Sequence, residues 1–348
     1  MRFFILILSI FVISLNASVK DYTNNAEVKE FIWKMEKEHN FKRSYLQELF
    51  SDVKFQKVPL KLYSPQYKKK KDKEKVSKHG AWDRYVRYKV TDKRVRDGVS
   101  FINKYRTTFK NVEKEYGVPA EYVAAIIGIE SVYGGNVGKF PVFDTLTTLA
   151  FEKNRRNKFF KKQLEEFIIL SYRSNINPKN VKGSYAGAIG LGQFMPSSYK
   201  HYGVDFNKDG KISLQHPHDA IASVANYLSA HGWKSDEEVA TRVSYEGKRF
   251  SKYKTGYNTK YHRKDLKGIK PKYGKWDYHD KVRLIKLSRK NYDELWYGAK
   301  NFYVITRYNH SAYYAMSVHQ LAEDIAKSLR RQNGTFARND IPSKAINN

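Results

Sequence analysis

The chain has 348 residues, of which 41% are hydrophobic, enough apolar material for two or three structural units around a sizeable core. Its 65 Lys and Arg against 35 Asp and Glu give a net charge of +30, which favours a polyanionic environment such as nucleic acid, anionic lipid or anionic glycan. No cysteine occurs, which excludes a disulfide framework and a lipid-modified cysteine anchor, and the lack of zinc-finger spacing or an RNA-recognition signature sets nucleic acid aside.

The opening stretch MRFFILILSIFVISLNAS carries one early Arg2, an apolar run from Phe3 to Leu15, and small residues at Ala17 and Ser18. That is the form of a secretory signal peptide over residues 1–18, with an uncleaved anchor as the alternative. The run is short for a membrane span, and no later segment is apolar enough for one. The expected location is therefore outside the inner membrane, in the periplasm.

Residues 27–50 read as helix, with Val28, Phe31, Ile32 and Met35 on one face. The stretch YKKKKDKEKVSKHG, Tyr67 to Gly80, reads as a charged loop or linker. From Ala81 the pattern is helical again, with Val95, Val99, Ile102 and Phe109 at helical spacing. Pro119 then suits the first position of a helix whose Tyr122, Val123, Ala125, Ile126, Ile127 and Ile129 cover nearly every side, so this helix is expected to be internal. Gly134 and Gly135 are expected to end it. A second helix follows, at FDTLTTLAF, and a third at about 159–172. Residues 183–203 are rich in Gly and Ser, residues 219–231 are helical, and residues 240–290 read as an irregular or short-stranded insertion. YYAMSVHQLAEDIAKSLRR is an amphipathic helix with Val318, Leu321, Ile325 and Leu329 inward, followed by a flexible tail over 333–348.

The internal helix keeps one acid, Glu130. An unpaired ionised carboxylate is costly to bury, and desolvation raises its pKa until it holds a proton near neutral pH. A protonated carboxyl facing a cleft is what glycosidic bond cleavage requires. From this helix alone, a capping or bridging role for Glu130 remains open.

The block GSYAGAIGLGQFMPSSYKHYGVDFNKDGKISLQHPHDAIASVANYLSAHGW, Gly183 to Trp233, resembles the membrane-bound lytic murein transglycosylase B family. So do GIESVYGGNVGKFPVFDTLTTLAF around Glu130, WYGAKNFYVITRYNHSAYYAMSVHQLA from Trp296, and GAWDRYV at Gly80. The resemblance covers roughly residues 80–330 and weakens across 240–290. It implies a mainly α architecture: a lysozyme-like core with an additional helical domain and a small β-containing insertion. The expected units are an N-terminal helical segment and linker over 19–79, a catalytic core with helical subdomain over 80–239, the insertion over 240–290, and the rest of the core over 291–332.

The resemblance implies cleavage of the β-1,4 bond between N-acetylmuramic acid and N-acetylglucosamine in peptidoglycan. The muramyl 6-hydroxyl attacks the anomeric carbon and leaves a 1,6-anhydro product. By motif the catalytic glutamate, acid and then base, falls on Glu130, and the sugar's own N-acetyl group replaces a second carboxylate. Asp144 is the nearest downstream acid, and capping of the next helix is its expected task. The motif match extends to Ser184, Gln193, Tyr227, Tyr308, Asn309 and Tyr314 as sugar contacts, and to Arg155 and Arg156 as holders of peptide carboxylates. The family form after the glutamate is Thr-Arg-Trp, whereas this chain has Ser131-Val132-Tyr133. No catalytic cofactor is expected. The partners implied are peptidoglycan glycan strands and other cell-wall enzymes, with the chain itself a monomer. A hydrolytic muramidase on the same fold and a non-catalytic peptidoglycan-binding protein are the competing readings.

DFNKDGKISLQHPHD, residues 205–219, has the start of an EF-hand loop. Asp205, Asn207 and Asp209 hold the first, third and fifth places, Gly210 makes the turn, and Lys211 offers a carbonyl at the seventh. Position twelve is His216, a poor calcium ligand. The resemblance also implies a longer, fifteen-residue version that closes with an aspartate, and Asp219 stands there, so the expected cofactor is a structural Ca²⁺, with a metal-free Asx turn as the alternative.

Overall fold

The computed structural model describes residues 18–67 and 79–339. The signal-like stretch before Ser18, the lysine-rich run 68–78 and the final segment 340–348 lie outside the described residues.

The N-terminal segment makes two helices, not the single run read over 27–50. Asn25 caps α1 (Ala26–His39), its side chain accepting from the amides of Glu27 and Val28. Asn40 then takes φ 57°, a left-handed conformation that asparagine tolerates and that ends the helix before α2 (Arg43–Ser51). Strand β1 (Val19–Lys20) pairs with β2 (Val53–Lys54), and α3 (Lys57–Tyr63) follows.

Next come α4 (Ala81–Val86), α5 (Asp92–Lys104), α6 (Arg106–Tyr116) and α7 (Ala120–Ser131). The chain continues through β3 (Phe140–Pro141), α8 (Val142–Phe151), α9 (Asn157–Arg173) and β4 (Lys182–Gly183). Apart from Leu170, the apolar residues of α8 and α9 do not join the core of α7. Phe143, Leu146, Phe160 and Leu164 pack instead with Phe31, Met35, Leu46 and Phe50 of the N-terminal helices. The unit expected at 19–79 is thus completed by residues from far along the chain. The β3–β4 pair, with Phe140 opposite Gly183, marks where the chain leaves the main core and returns to it.

The main core is formed by α5 to α7 with α10 (Pro196–Tyr202), α11 (Pro217–Ala230), α12 (Lys300–Tyr308) and α13 (Ala312–Asn339). Helix α7 is surrounded by α5, α6, α11 and α13, which is why its apolar residues have no polar face to balance them. Pro119 is its cap, with ψ 142°, one place before the first helical residue. Val318, Leu321 and Ile325 of α13 are fully buried, and the helix continues to Asn339 instead of giving way to a tail at 333.

The insertion is an ordered antiparallel sheet of β5 (Ala240–Tyr245), β6 (Ile269–Pro271), β7 (Arg283–Ser288) and β8 (Asp293–Gly298), in the order β6-β5-β8-β7. It extends to Gly298, past the expected limit at 290. The period of two shows in β7. Leu284 enters the sheet's own core with Trp276 and Tyr297, while Ile285 and Leu287 face the helical core.

Candidate active site

Helix α7 brings Glu130 to the edge of a groove of about 590 Å³, lined among others by Val137, Gly138, Ser184, Tyr185 and Gln193. The helix stops one residue later, and glycine does not stop it. Val132 and Tyr133 both adopt left-handed backbone, φ 54° and 56°, before Gly134. Ser131 is buried and closes the turn: its hydroxyl donates to the Ile127 carbonyl (3.2 Å) and accepts from the Gly134 amide (3.1 Å).

The Tyr314 hydroxyl donates to Glu130 Oε1 at 2.7 Å, from a side chain only 2% exposed. Behind it the rings of Tyr308 and Tyr314 lie parallel, 6.4 Å apart, and Tyr227 meets Tyr308 edge-on at 4.8 Å. The Tyr308 hydroxyl donates to the Gly192 carbonyl, and that of Tyr227 to the Arg307 carbonyl at 2.6 Å. These bonds satisfy the phenols against the main chain, so Tyr227 and Tyr308 brace the wall behind Glu130. Burial pushes the Glu130 carboxyl above the ordinary carboxylate range, while the Tyr314 hydrogen bond and the Lys89 ammonium pull it down. Burial depresses Lys89 in turn, and the charge of Glu130 opposes that shift.

Two further predicted residues line the groove. Ser184 Oγ accepts from the amides of Ala186 (3.3 Å) and Ala188 (3.0 Å). Gln193, itself left-handed at φ 51°, donates its side-chain amide to the carbonyls of Val137 (3.0 Å) and Gly190 (2.9 Å). Both bonds tie its amide nitrogen to the main chain of the groove. Asn309 is exposed just beyond α12.

The arginine pair is not among the groove-lining residues. Arg155 donates to the carbonyls of Tyr63 (3.1 Å) and Leu62 (3.3 Å) and so ties α3 to the loop before α9. Arg156 lies over the Phe159 ring, 3.9 Å from its centroid. Asp144 does not cap α8. Pro141 holds the cap position without a side-chain bond, and Asp144 is buried against the Lys54 segment, where burial lifts its carboxyl to about 6 and one of its oxygens has no partner. It is not among the groove residues, and Glu130 is the one carboxylate in the groove lining among the described residues.

Three neighbours went unassigned in the sequence. Tyr85 and Lys89 lie within the field of Glu130. Tyr85 sits inside the GAWDRYV block, which was a usable signal. Tyr185 is 46% exposed in the groove lining, beside a serine that was identified.

In the acidic loop, Asp205 accepts the amides of Asp209 (3.2 Å) and Gly210 (2.9 Å), and Asp209 accepts that of Lys211 (2.9 Å). Asn207 donates its side-chain amide to Asp209 (2.8 Å). Asp219, fully buried, accepts the amides of Phe206 (3.0 Å) and Ser213 (2.8 Å), so it closes the loop onto the start of α11.

This arrangement, one part-buried acid in a groove within a helical fold, has counterparts. The family model described as "Transglycosylase SLT domain" matches residues 23–323. Membrane-bound lytic murein transglycosylase B of Escherichia coli (strain K12) is 41% identical over 308 residues, covering 88% of this chain and 84% of that one. The chain belongs to the transglycosylase SLT family. The structure of the Escherichia coli lytic transglycosylase SLT35 in complex with bulgecin A superposes with a TM-score of 0.82 at 39% identity, covering 90% of this chain and 97% of that one. The same values hold for SLT35 in complex with calcium. The SLT-family member described here is a lytic transglycosylase, an enzyme that cleaves glycosidic bonds of peptidoglycan. Its fold is the mainly helical, lysozyme-like one of these neighbours.

Proposed function

We propose that Glu130 is the acid and then the base of the lytic transglycosylase reaction. In the first step its carboxyl gives a proton to the glycosidic oxygen as the bond to the anomeric carbon breaks. The carboxylate then takes the proton of the muramyl 6-hydroxyl as that oxygen bonds to the same carbon, which yields the 1,6-anhydro end and returns Glu130 to its protonated form. No water is consumed and no second carboxylate is required. The substrate's N-acetyl group stabilises the charge at the anomeric carbon. Ser184 and Gln193 contact the sugar, with Tyr314 on the acid itself and Tyr227 and Tyr308 shaping the wall. Asn309, exposed beyond α12, is a further sugar contact. Arg155 and Arg156 hold the peptide carboxylates of the substrate, and Arg155 also ties down α3.

The observation that carries this reading is the Tyr314–Glu130 hydrogen bond of 2.7 Å inside a groove with no other lining carboxylate among the described residues. The test is Glu130→Gln. The amide is nearly isosteric but has no proton to give, so turnover falls about 10²-fold or more while glycan binding is kept. Activity within a few-fold of the unmodified enzyme would end the assignment. Mass spectrometry of products from purified sacculi separates this reaction from hydrolysis, through an anhydro instead of a reducing end.

The loop 205–219 is proposed as a structural calcium site. Its donors are all oxygens, from Asp205, Asn207, Asp209, Asp219 and the Lys211 carbonyl, which suits a hard cation. The ion would supply charge balance for carboxylates that now lean on their own amides, and it would stiffen the approach to α11 and Tyr227. Export to the periplasm, glycan strands as ligand and association with other cell-wall enzymes complete the reading.

A further inference from the structure

The turn after Glu130 is held in a conformation that its residues disfavour. Two consecutive non-glycine residues, one of them the β-branched Val132, take left-handed backbone there, and such backbone persists only where its surroundings over-determine it. The surroundings converge on the Tyr133 side chain. Its ring enters a slot between α5 and α7 that exists because both helices carry glycine at the contact. A Cβ on Gly98 would stand 2.5 Å from the Tyr133 hydroxyl oxygen, and one on Gly128 would stand 2.5 Å from that oxygen and 2.6 Å from Cζ. Phe101 covers the ring from one side, with centroids 5.4 Å apart.

At the end of the slot the hydroxyl donates to the Arg94 carbonyl at 2.8 Å. The Arg94 guanidinium in turn donates to the carbonyls of Tyr88 (2.6 Å) and Lys89 (2.7 Å). One connected path therefore runs from the turn that ends Glu130's helix, through Tyr133 and Arg94, to the short segment that carries Tyr85 and Lys89. The ionisable groups in the field of Glu130 are Lys89 and Tyr85 on that segment, Tyr308 on α12 and Tyr314 on α13.

We propose that Tyr133 is a positioning residue for the reaction, one that holds Glu130 and Lys89 in register through Arg94 without lining the groove itself. The inference rests on the reading of Glu130 as the acid. Sugar contacts are made elsewhere, so loss of this truss is felt in the chemical step and not in binding.

The experiment is a kcat and KM comparison on soluble glycan fragments, well below the melting temperature. Tyr133→Phe keeps the ring and removes only the bond to Arg94. Its kcat falls about 3- to 10-fold, the usual worth of one hydrogen bond, at unchanged KM. Gly128→Ala pushes the ring out of its slot and lowers kcat further, again with KM held. The double variant Gly128→Ala/Tyr133→Ala is no slower than Tyr133→Ala alone, because the added methyl acts only through the ring it displaces. An unchanged kcat in Tyr133→Phe, a loss carried by KM, or additive penalties in the double variant would overturn the proposal. Glu130→Gln is run beside these. If it retains activity, the assignment of the acid fails. If it is inactive while Tyr133→Phe behaves as the unmodified enzyme, only the positioning role fails.

Discussion

Replacing Tyr314 with phenylalanine removes the one side-chain hydrogen bond to Glu130 found among the described residues, and little else. The ring stays parallel to Tyr308, and the position is 2% exposed, so packing is preserved. The phenol donates to the carboxylate more strongly than to the neutral acid. Hydrogen bonds to charged groups are worth ~1.5–3 kcal/mol and those between neutral groups ~0.5–1.5, so the difference that favours ionisation is about 1–1.5 kcal/mol. Tyr314→Phe therefore raises the Glu130 pKa further. The direction agrees with the bond's role in lowering a carboxyl that burial has lifted. An acid that must be protonated for the first step loses activity as pH rises through its pKa. The basic limb of kcat/KM therefore moves to higher pH in the variant. The assay is initial rate on soluble glycan fragments across pH, with product identity checked at each end. A basic limb that stays in place, or moves down, would refute the argument that this phenol stabilises the ionised form.

Two further outcomes follow from groups away from the groove. Burial lifts Asp144 from 3.8 to about 6, so it stabilises the fold below pH 3.8 relative to higher pH, and that contribution is lost as pH rises toward 6. Asp144→Asn should then stabilise the protein at pH 7.5 by up to about 3 kcal/mol, with the gain vanishing near pH 4, as read by chemical denaturation at both pH values. Equal stabilities at pH 7.5 would mean that the carboxylate is solvated there. Added calcium should raise the melting temperature, by an amount set by ligand excess over Kd, and Asp209→Ala should abolish the rise while activity persists at low temperature. A melting temperature indifferent to millimolar calcium would remove the loop site.

Periodicity and single residues were legible where the cause is local. The apolar residues of α7 announce an internal helix, and a lone acid at its end is conspicuous for that reason. The amphipathic spacing of α13 likewise fixes which side meets the core. Contacts between distant segments were not legible. Val132 and Tyr133 look like ordinary residues before two glycines, and only the slot formed by Gly98 and Gly128 explains why the helix ends ahead of them. Asp144 has the residue type and place of a cap, yet the approach of residues 52–54 buries it in another role. Arg155 matched a ligand-holding pattern, and nothing in that pattern foretold its bonds to the carbonyls of Leu62 and Tyr63, from a helix more than ninety positions earlier. Lys89 carries no signal in a chain with 65 cations, because its importance comes from burial and from what it faces.

That last point bears on the proposal that a single carboxyl, Glu130, serves twice. A group acting as acid and then as base needs both protonation states within reach at the working pH. Burial alone would overshoot, leaving a carboxyl too weak an acid to release its proton to the leaving oxygen. A close cation alone would leave it too weak a base to take the 6-hydroxyl proton. Glu130 is held between these limits by opposed influences: desolvation pushes up, and the Tyr314 hydroxyl and Lys89 pull down. The partners differ in kind. Tyr314 is anchored in the core and sets a short bond of 2.7 Å, whereas Lys89 acts by charge alone, over a distance governed by the backbone that Arg94 grips. Charge at the protein surface is damped within about 8 Å at physiological salt, so the bulk of the +30 has little hold on the acid. A part-buried lysine escapes most of that damping, which makes its position, rather than the number of lysines in the chain, the electrostatic variable that matters for the chemistry.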